Sequence, residues 1–462
     1  MARKFLGISL MPVAVQNEGL QAVMDRIQAT GANAISTGLG LSRPAEREQG
    51  HREPPLDIDG CERLLDRPLW GQRELWLESY RTHDYDESLF TDTIYRPGGQ
   101  LAPADMDRDL PHKIMAEAHA RGLAAYMQIG PTTVPGLRPG DQFHYPDGSL
   151  PGPRNVARQG CLNSPAVRAY ILAVVRDTVR HYPEADGLFL DWIEYTVYDL
   201  RDHFACTCPH CGHAAQTRGY DWDRIIRDVR ALWNRLHQLD ARDLEHMQHV
   251  ARHPSALVEL FQTYPGWLDF LRFKGETVAK LYRDIRQAMN DDGAAKMELG
   301  ANGWAPPFNR SSGMDYRAVS AVCQSVRPKL YTFHWSVLPR WYGQTLQGWN
   351  PQLPETQLLD TLVALLDLPD DISPRTFACY HIPAPEEPHP ALPRSWRDKL
   401  DEVVDQVQGK TRCYAYAHSY RPLEQWKRMV AVVRDSRVDG MWVTRYGYMT
   451  DAKLAVLADM WR

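Results

Sequence analysis

No apolar run in this 462-residue chain approaches the roughly 18–20 residues that a membrane-spanning helix requires, so no membrane partner is expected. Charge of one sign is not in excess either. Against 58 acidic residues stand 53 basic ones, which removes the basic footprint of a nucleic-acid binder. The opening MARKFLGISLMPVAV lacks an uninterrupted apolar core because Gly7, Ser9 and Pro12 break it, so a cytoplasmic protein is expected. Cysteine is sparse: eight in so long a chain do not build a disulfide scaffold. No internal repeat or low-complexity tract occurs. No GxGxxG follows the first apolar segment, which argues against a doubly wound dinucleotide-binding sheet. The oligomeric state is left open, a homo-oligomer included.

Aromatic residues, by contrast, are plentiful, with 14 Trp and 21 Tyr. Many flank the predicted strand ends, where flat faces can stack on a sugar ring. Burial in a large core is the competing explanation.

Hydrophobic periodicity alternates strand with helix through most of the chain. KFLGISL (4–10) reads as a strand, 17–31 as an amphipathic helix closed by Gly31, and 32–40 as a second strand. That βαβ opening implies a parallel sheet. Further strands are predicted at 123–131, 187–191, 295–304, 328–336, 412–420 and 438–448. Helices are predicted at 109–122, 164–183, 267–293, 315–326, 395–409 and 422–437, with a last one from 451. FACYHI (377–382) also has strand character and is assigned to a loop excursion. Eight strands with intervening helices make an α/β fold, a (β/α)8 TIM barrel spanning 1–462, with long insertions in the βα loops at about 41–108, 200–266 and 337–394. A Gly/Pro-rich loop covers 131–160.

The stretch that carries most chemistry is ADGLFLDWIEY (185–195), an apolar strand ending in two acids, Asp191 and Glu194. Alternation puts Phe189 and Asp191 on one face, with Leu188 and Leu190 on the other, helix-packed face. Asp191 therefore points into the barrel at the carboxyl end of its strand, where a nucleophile or base belongs. A helix cap or an arginine pair is the structural alternative. In AKMELGANGW, Met297, Leu299 and Ala301 share the outer face, so Glu298 and Asn302 point inward. Glu298 is then expected beside Asp191, as proton donor in an apolar setting, unless it pairs with Lys296 or an arginine deep in the barrel. Residues expected to bind substrate are Trp192, Asn302, Trp304, His334, Trp335, His381, His418, Arg445 and Tyr446, which lie near later strand ends or in their loops. Each alone is a weak signal; their shared location gives the set its weight.

Cys206, Cys208 and Cys211 form CxCxxC, and three thiols so close in a reducing compartment point to zinc. The fourth ligand is Cys161, just before the 164–183 helix, or His203, His210 or His213. Four protein ligands make a closed structural site; an open one with bound water implies metal-assisted hydrolysis. Cys61, Cys323, Cys379 and Cys413 read as isolated core residues.

Cys161 followed by Cys206-x-Cys208-x-x-Cys211 resembles the zinc cluster of family 42 β-galactosidases, (β/α)8 glycoside hydrolases with a catalytic acid/base Glu shortly upstream of that motif, where Glu194 stands. DGLFLDW is also similar to the fourth strand of barrel α-glycosidases, whose Asp is the nucleophile, and DGMWVTRYGYMTDAKLAVL to the last strand and helix of hypothetical glycosyl hydrolases. Two family 42 positions are filled differently: Ile193 replaces an Asn, and YAYAHSY offers His418 and Ser419 where a nucleophilic Glu is expected. The resemblance implies a glycoside hydrolase acting on a carbohydrate through a carboxyl pair drawn from Asp191, Glu194 and Glu298, with structural zinc on Cys161, Cys206, Cys208 and Cys211. Two other classes remain open. One is a metal-dependent hydrolase or lyase using His334, His381 and acids, the other a non-catalytic sugar-binding barrel.

Overall fold

Eight parallel strands close into a barrel in the computed structural model, which describes residues 4–461 apart from 48, 58–59, 153–158 and 253–256. The strands are Phe5–Leu10, Ala34–Thr37, Ala124–Ile129, Gly187–Leu190, Glu298–Trp304, Ser325–Leu330, Arg412–His418 and Gly440–Thr444. Each pairs with the next in chain order, and the eighth returns to the first. With helices between the strands this is the expected (β/α)8 barrel. Parts of the 131–160 loop and of the 41–108 and 200–266 insertions lie outside the described residues.

The sixth strand begins and ends earlier than its apolar pattern suggests. Ser325–Leu330 form it, and the predicted continuation folds as a short helix, Thr332–Trp335. The 315–326 helix shrinks to Tyr316–Val319: the chain turns over 320–324, and Ser325 and Val326 already belong to that strand. FACYHI contains a single 3-10 turn, Phe377–Cys379, and belongs to the excursion.

Side-chain alternation sorts the barrel into two apolar systems. Leu188, Leu190, Leu299 and Ala301 join the outer core under the helices. Tyr126, Phe189, Tyr414, Tyr416 and Trp442 fill the inside of the barrel. Rings this large fit only where the facing strand offers no side chain. A Cβ at Gly300 would stand 2.1 Å from the Phe189 ring, and one at Gly7 would stand 2.4 Å from Trp442. Gly300→Ala is therefore expected to destabilise the fold by roughly 1–3 kcal/mol, read as a lower urea midpoint with unchanged slope.

A cation sits among these rings. Arg327, wholly buried, lies 3.3 Å over the Phe189 ring and within 5 Å of Tyr416 and Trp442, and its Nε donates to Asn302 Oδ1 at 2.5 Å. Burial pulls its guanidinium down to about 10, still charged at neutral pH, and the quadrupoles of the rings offset part of its lost hydration.

The insertion after the second strand carries its own antiparallel sheet, built on Gly40–Ala45, His51–Glu53 and Leu75–Arg81. The insertion after the fourth strand is helical, leading into the long helix Pro265–Asp291. The helix before the fourth strand, Pro165–His181, starts where Ser164 accepts from the Val167 N–H and Pro165 fixes the first turn.

Candidate active site and cysteine cluster

The fourth strand stops at Leu190, and the chain turns sharply. Trp192 adopts φ 66°, a left-handed conformation that a bulky side chain rarely takes. Gln159 holds that turn, its Nε2 donating to the carbonyl oxygens of Trp192 (2.5 Å) and Glu194 (3.1 Å). Asp191 and Glu194 are thereby brought to one ammonium: Lys329 Nζ lies 3.0 Å from Asp191 Oδ1 and 3.3 Å from Glu194 Oε1. Burial works against the Lys329 charge, but the two carboxylates more than offset it and hold the amine above its ordinary range.

The two acids differ in what they face. Asp191, its side chain 19% exposed, borders a cavity of about 420 Å³. Glu194 is fully buried, and its Oε2 accepts from the Trp304 N–H (3.0 Å) and the Ser312 hydroxyl (2.8 Å). Burial pushes Glu194 up to about 6, against the opposing pull of Lys329 and these donors.

The cavity lies at the carboxyl ends of the strands: Leu10, Thr37, Asp191, His418 and Thr444 all close or follow one. Aromatic rings of Trp192, Tyr198, Tyr331, Phe333, Tyr416 and Tyr448 wall it, and Pro55, Asp57 and Arg63 of the first insertion form one side. Gln128 ties its floor together, donating to Tyr416 Oη (2.9 Å) and Asp191 Oδ2 (3.3 Å).

Of the residues predicted for this site, Asp191, Trp192, His334, His418 and Arg445 line the cavity. The others do not, for separate reasons. Glu298 opens its strand in register with Gly187, so it sits at the opposite end of the barrel from Asp191, bonded by Tyr126 Oη (3.1 Å) and near Arg412. The expected Asp191–Glu298 pair is therefore not formed. Asn302 points inward as expected, but it is fully buried and its carbonyl serves Arg327 rather than the cavity. Trp304 and Trp335 are buried packing residues, the first against Phe308, the second under Lys399. Tyr446 turns away and donates to Glu18 Oε2 (2.9 Å). His381, half-buried in its loop, pairs with Glu387 at 2.8 Å and does not join His334 in a metal site. Sequence reasoning missed Lys329, Asp57 and Tyr198. Only Lys329 left a trace: with Arg327 it puts two cations on one face of a buried strand.

Cys161 completes the thiol cluster. The sulfurs of Cys161, Cys206, Cys208 and Cys211 lie within 4.8 Å of one another, and all four residues are buried. Cys161 stands 3.4 Å from Cys208 and 3.6 Å from Cys211, close to the ~3.8 Å between thiolates on tetrahedral zinc with Zn–S bonds of ~2.3 Å. N–H groups point at the sulfurs from His144 to Cys206, and from the backbone and side chain of Asn163 to Cys161 and Cys211. The helix Pro209–Thr217 begins at Cys208, which also favours negative charge there. Fully buried Lys274 stands close enough for the charge of Cys206 and Cys211 to bear on it. The donor set fits a divalent metal such as zinc. His203 and His210 are engaged elsewhere, with Tyr342 and Asp141. Among the described residues no other group of three His, Cys, Asp or Glu is spaced to hold an ion. Cys323 and Cys413 are buried singly as expected, whereas Cys61 and Cys379 are only partly covered.

No protein-family model matches the chain, and no curated protein sequence is similar to it. Solved structures do resemble it. The β-galactosidase of the psychrophilic Marinomonas ef1 shares 10% identity at a TM-score of 0.48, over 96% of this chain and 54% of that one. The catalytic domain of β-amylase from Paenibacillus polymyxa shares 10% at 0.47, over 99% and 97%. The endo-β-1,4-mannanase of Thermotoga petrophila shares 9% at 0.42, over 100% and 77%. The chain thus spans about half the length of the galactosidase. No helix among the described residues is long and apolar enough to cross a membrane.

Glu194 has a consequence for stability. Its folded-state pKa lies above the ordinary carboxyl value, so the folded protein binds the extra proton, and the stability this gives is present below about pH 4.5 and lost as pH rises through about 6. The shift corresponds to roughly 2 kcal/mol. Urea midpoints measured from pH 4.5 to 7 should fall by that increment in the wild type, and Glu194→Gln should flatten it.

Proposed function

We propose that this protein is a glycoside hydrolase in which Asp191 attacks the anomeric carbon, or activates the water that does, while the aromatic walls hold the sugar. One observation carries the reading: a carboxylate at the carboxyl end of the fourth strand, partly exposed on the floor of an aromatic-walled cavity at the barrel mouth. Lys329 supports it by balancing the Asp191 charge from below, leaving the carboxylate's other oxygen to Gln128. Glu194 shares that ammonium but does not border the cavity, so it acts on Lys329 and Asp191 rather than on substrate. The carboxyl separation that distinguishes retaining from inverting enzymes therefore has no second cavity-facing partner among the expected acids. The four cysteines would hold zinc as a closed, structural site, where the metal supplies cross-linking rather than chemistry.

Incubating the purified full chain with a panel of aryl and natural glycosides tests this. Release of free sugar from one class of glycoside is the expected result. Saturable glycan binding with no hydrolysis across the panel would make the protein a sugar-binding barrel and overturn the proposal.

A further inference from the structure

Outside the acids on Lys329, the cavity wall holds a second linked set of polar groups drawn from three distant parts of the chain. Tyr198 comes from the loop after the fourth strand, His334 from the short helix after the sixth, and Asp57 from the first insertion. Tyr198 Oη lies 3.2 Å from His334 Nδ1, and His334 Nε2 lies 2.8 Å from Asp57 Oδ2. All three are more than nine-tenths buried, yet all three border the cavity, and Arg63 Nε, 3.4 Å from Asp57 Oδ2, holds the far end in place. Tyr198 and Asp191 line the same cavity, and burial, reinforced by the Asp57 charge, holds the Tyr198 phenol above its ordinary range, so it carries its proton at neutral pH.

We propose that Tyr198 is the catalytic proton donor and acceptor of this site, loaded by His334 with Asp57 as positioning residue. The proposal rests on the glycosidase reading and supplies the acid that Glu194 and Glu298 do not. In the loaded state an imidazolium at His334 gives its Nε2–H to Asp57 and its Nδ1–H to Tyr198 Oη, which frees the phenolic hydrogen for the cavity. As Asp191 bonds to the anomeric carbon, the bond from that carbon to the leaving oxygen breaks and its electron pair stays with the oxygen. That oxygen takes the Tyr198 proton, the Nδ1 proton passes to Tyr198 Oη, and His334 is left neutral. Water then displaces Asp191 from the sugar, and its proton returns through Tyr198 to His334 Nδ1. Water is the only co-reactant. Facing His334 are Asp57, Tyr198, Arg63, Lys329, Tyr331 and His418; burial lowers its imidazole, with Asp57 opposing and Arg63 and Lys329 reinforcing. The loaded form therefore grows as pH falls.

Aryl glycosides of the sugar that the wild type cleaves, with leaving groups graded from dinitrophenol to phenol, test the assignment. A proton donor matters little to an acidic leaving group and greatly to a basic one. Tyr198→Phe should retain kcat/KM within a few-fold on the dinitrophenyl glycoside and lose on the order of 100-fold or more on the phenyl glycoside. Asp57→Asn should show the same slope, less steeply. A uniform loss across the series, or none, overturns the relay. If the wild type cleaves no glycoside, the functional reading fails by itself, and the relay is judged on the 15N-labelled protein. Tyr198→Phe should then shift the His334 Nδ1 resonance and Asp57→Asn remove the low-field Nε2 proton. Unmoved signals would overturn the relay independently.

Discussion

Asp191→Asn is expected to lower kcat/KM by roughly 10⁴-fold or more while leaving the protein folded. The amide keeps the volume of the carboxylate and the contact with Gln128, so the cavity floor should hold its shape. What goes is the negative charge that the proposed mechanism requires at the anomeric carbon, and the other carboxylate on the cavity wall, Asp57, is committed to His334 and Arg63. Glu194, the nearest other carboxyl on Lys329, has its second oxygen committed to the Trp304 N–H and Ser312. Lys329 still keeps Glu194 as counter-ion, so the urea midpoint should move by no more than about 2 kcal/mol. Initial rates on the best glycoside of the panel, with circular dichroism of the same preparation, check both halves. A variant with wild-type rates would remove Asp191 from the chemistry.

The second large effect is expected at the cysteine cluster. Elemental analysis of the purified protein should find one zinc per chain, and Cys206→Ser should lose most of it. Structural zinc contributes roughly 10–16 kcal/mol of binding free energy in small zinc domains, so removing one thiolate leaves a large deficit even in a protein with an extensive core. The deficit falls on a defined region, because Cys206 also receives the His144 N–H and the next residue, Thr207, bonds the carbonyls of His144 and Tyr145. Cys206→Ser should unfold at a markedly lower temperature, and a strong chelator should shift the wild type in the same direction but leave the variant almost unmoved. A wild type that is metal-free and indifferent to chelator would assign the four sulfurs to plain packing.

The barrel was legible because inward and outward positions alternate so cleanly. Leu188, Leu190, Leu299 and Ala301 fall under helices and Phe189 and Asp191 inside, as their spacing requires. Alternation fixes the face of a residue, however, and not its height. Glu298 shares the inner face with Asp191, but its strand starts level with Gly187, and this displaces the acid by the length of the strand. Asn302 fails for another reason: it is taken up by the buried Arg327, a partner that alternation does not reveal. Beyond the strand ends no period remains to guide the reading. Arg445 lines the cavity, while its neighbour Tyr446 faces Glu18 on the other side of the chain. Asp57 and Tyr198 come from segments without repeat, and their nearness to His334 is set by tertiary packing alone. The cysteine motif was legible for a different reason: metal ligation constrains spacing directly, and Cys161 was among the four candidates for its last member.

Cys161 and Cys211 are separated by 50 positions, and the chain between them carries the helix Pro165–His181, the fourth strand, and the turn and loop bearing Asp191 and Tyr198. A metal gripping both ends would tie that stretch into a ring. Ring closure of this size curtails the wandering of the denatured chain by a contribution on the order of 4 kcal/mol. The stretch proposed to carry the chemistry would thus keep its ends together even in the unfolded chain.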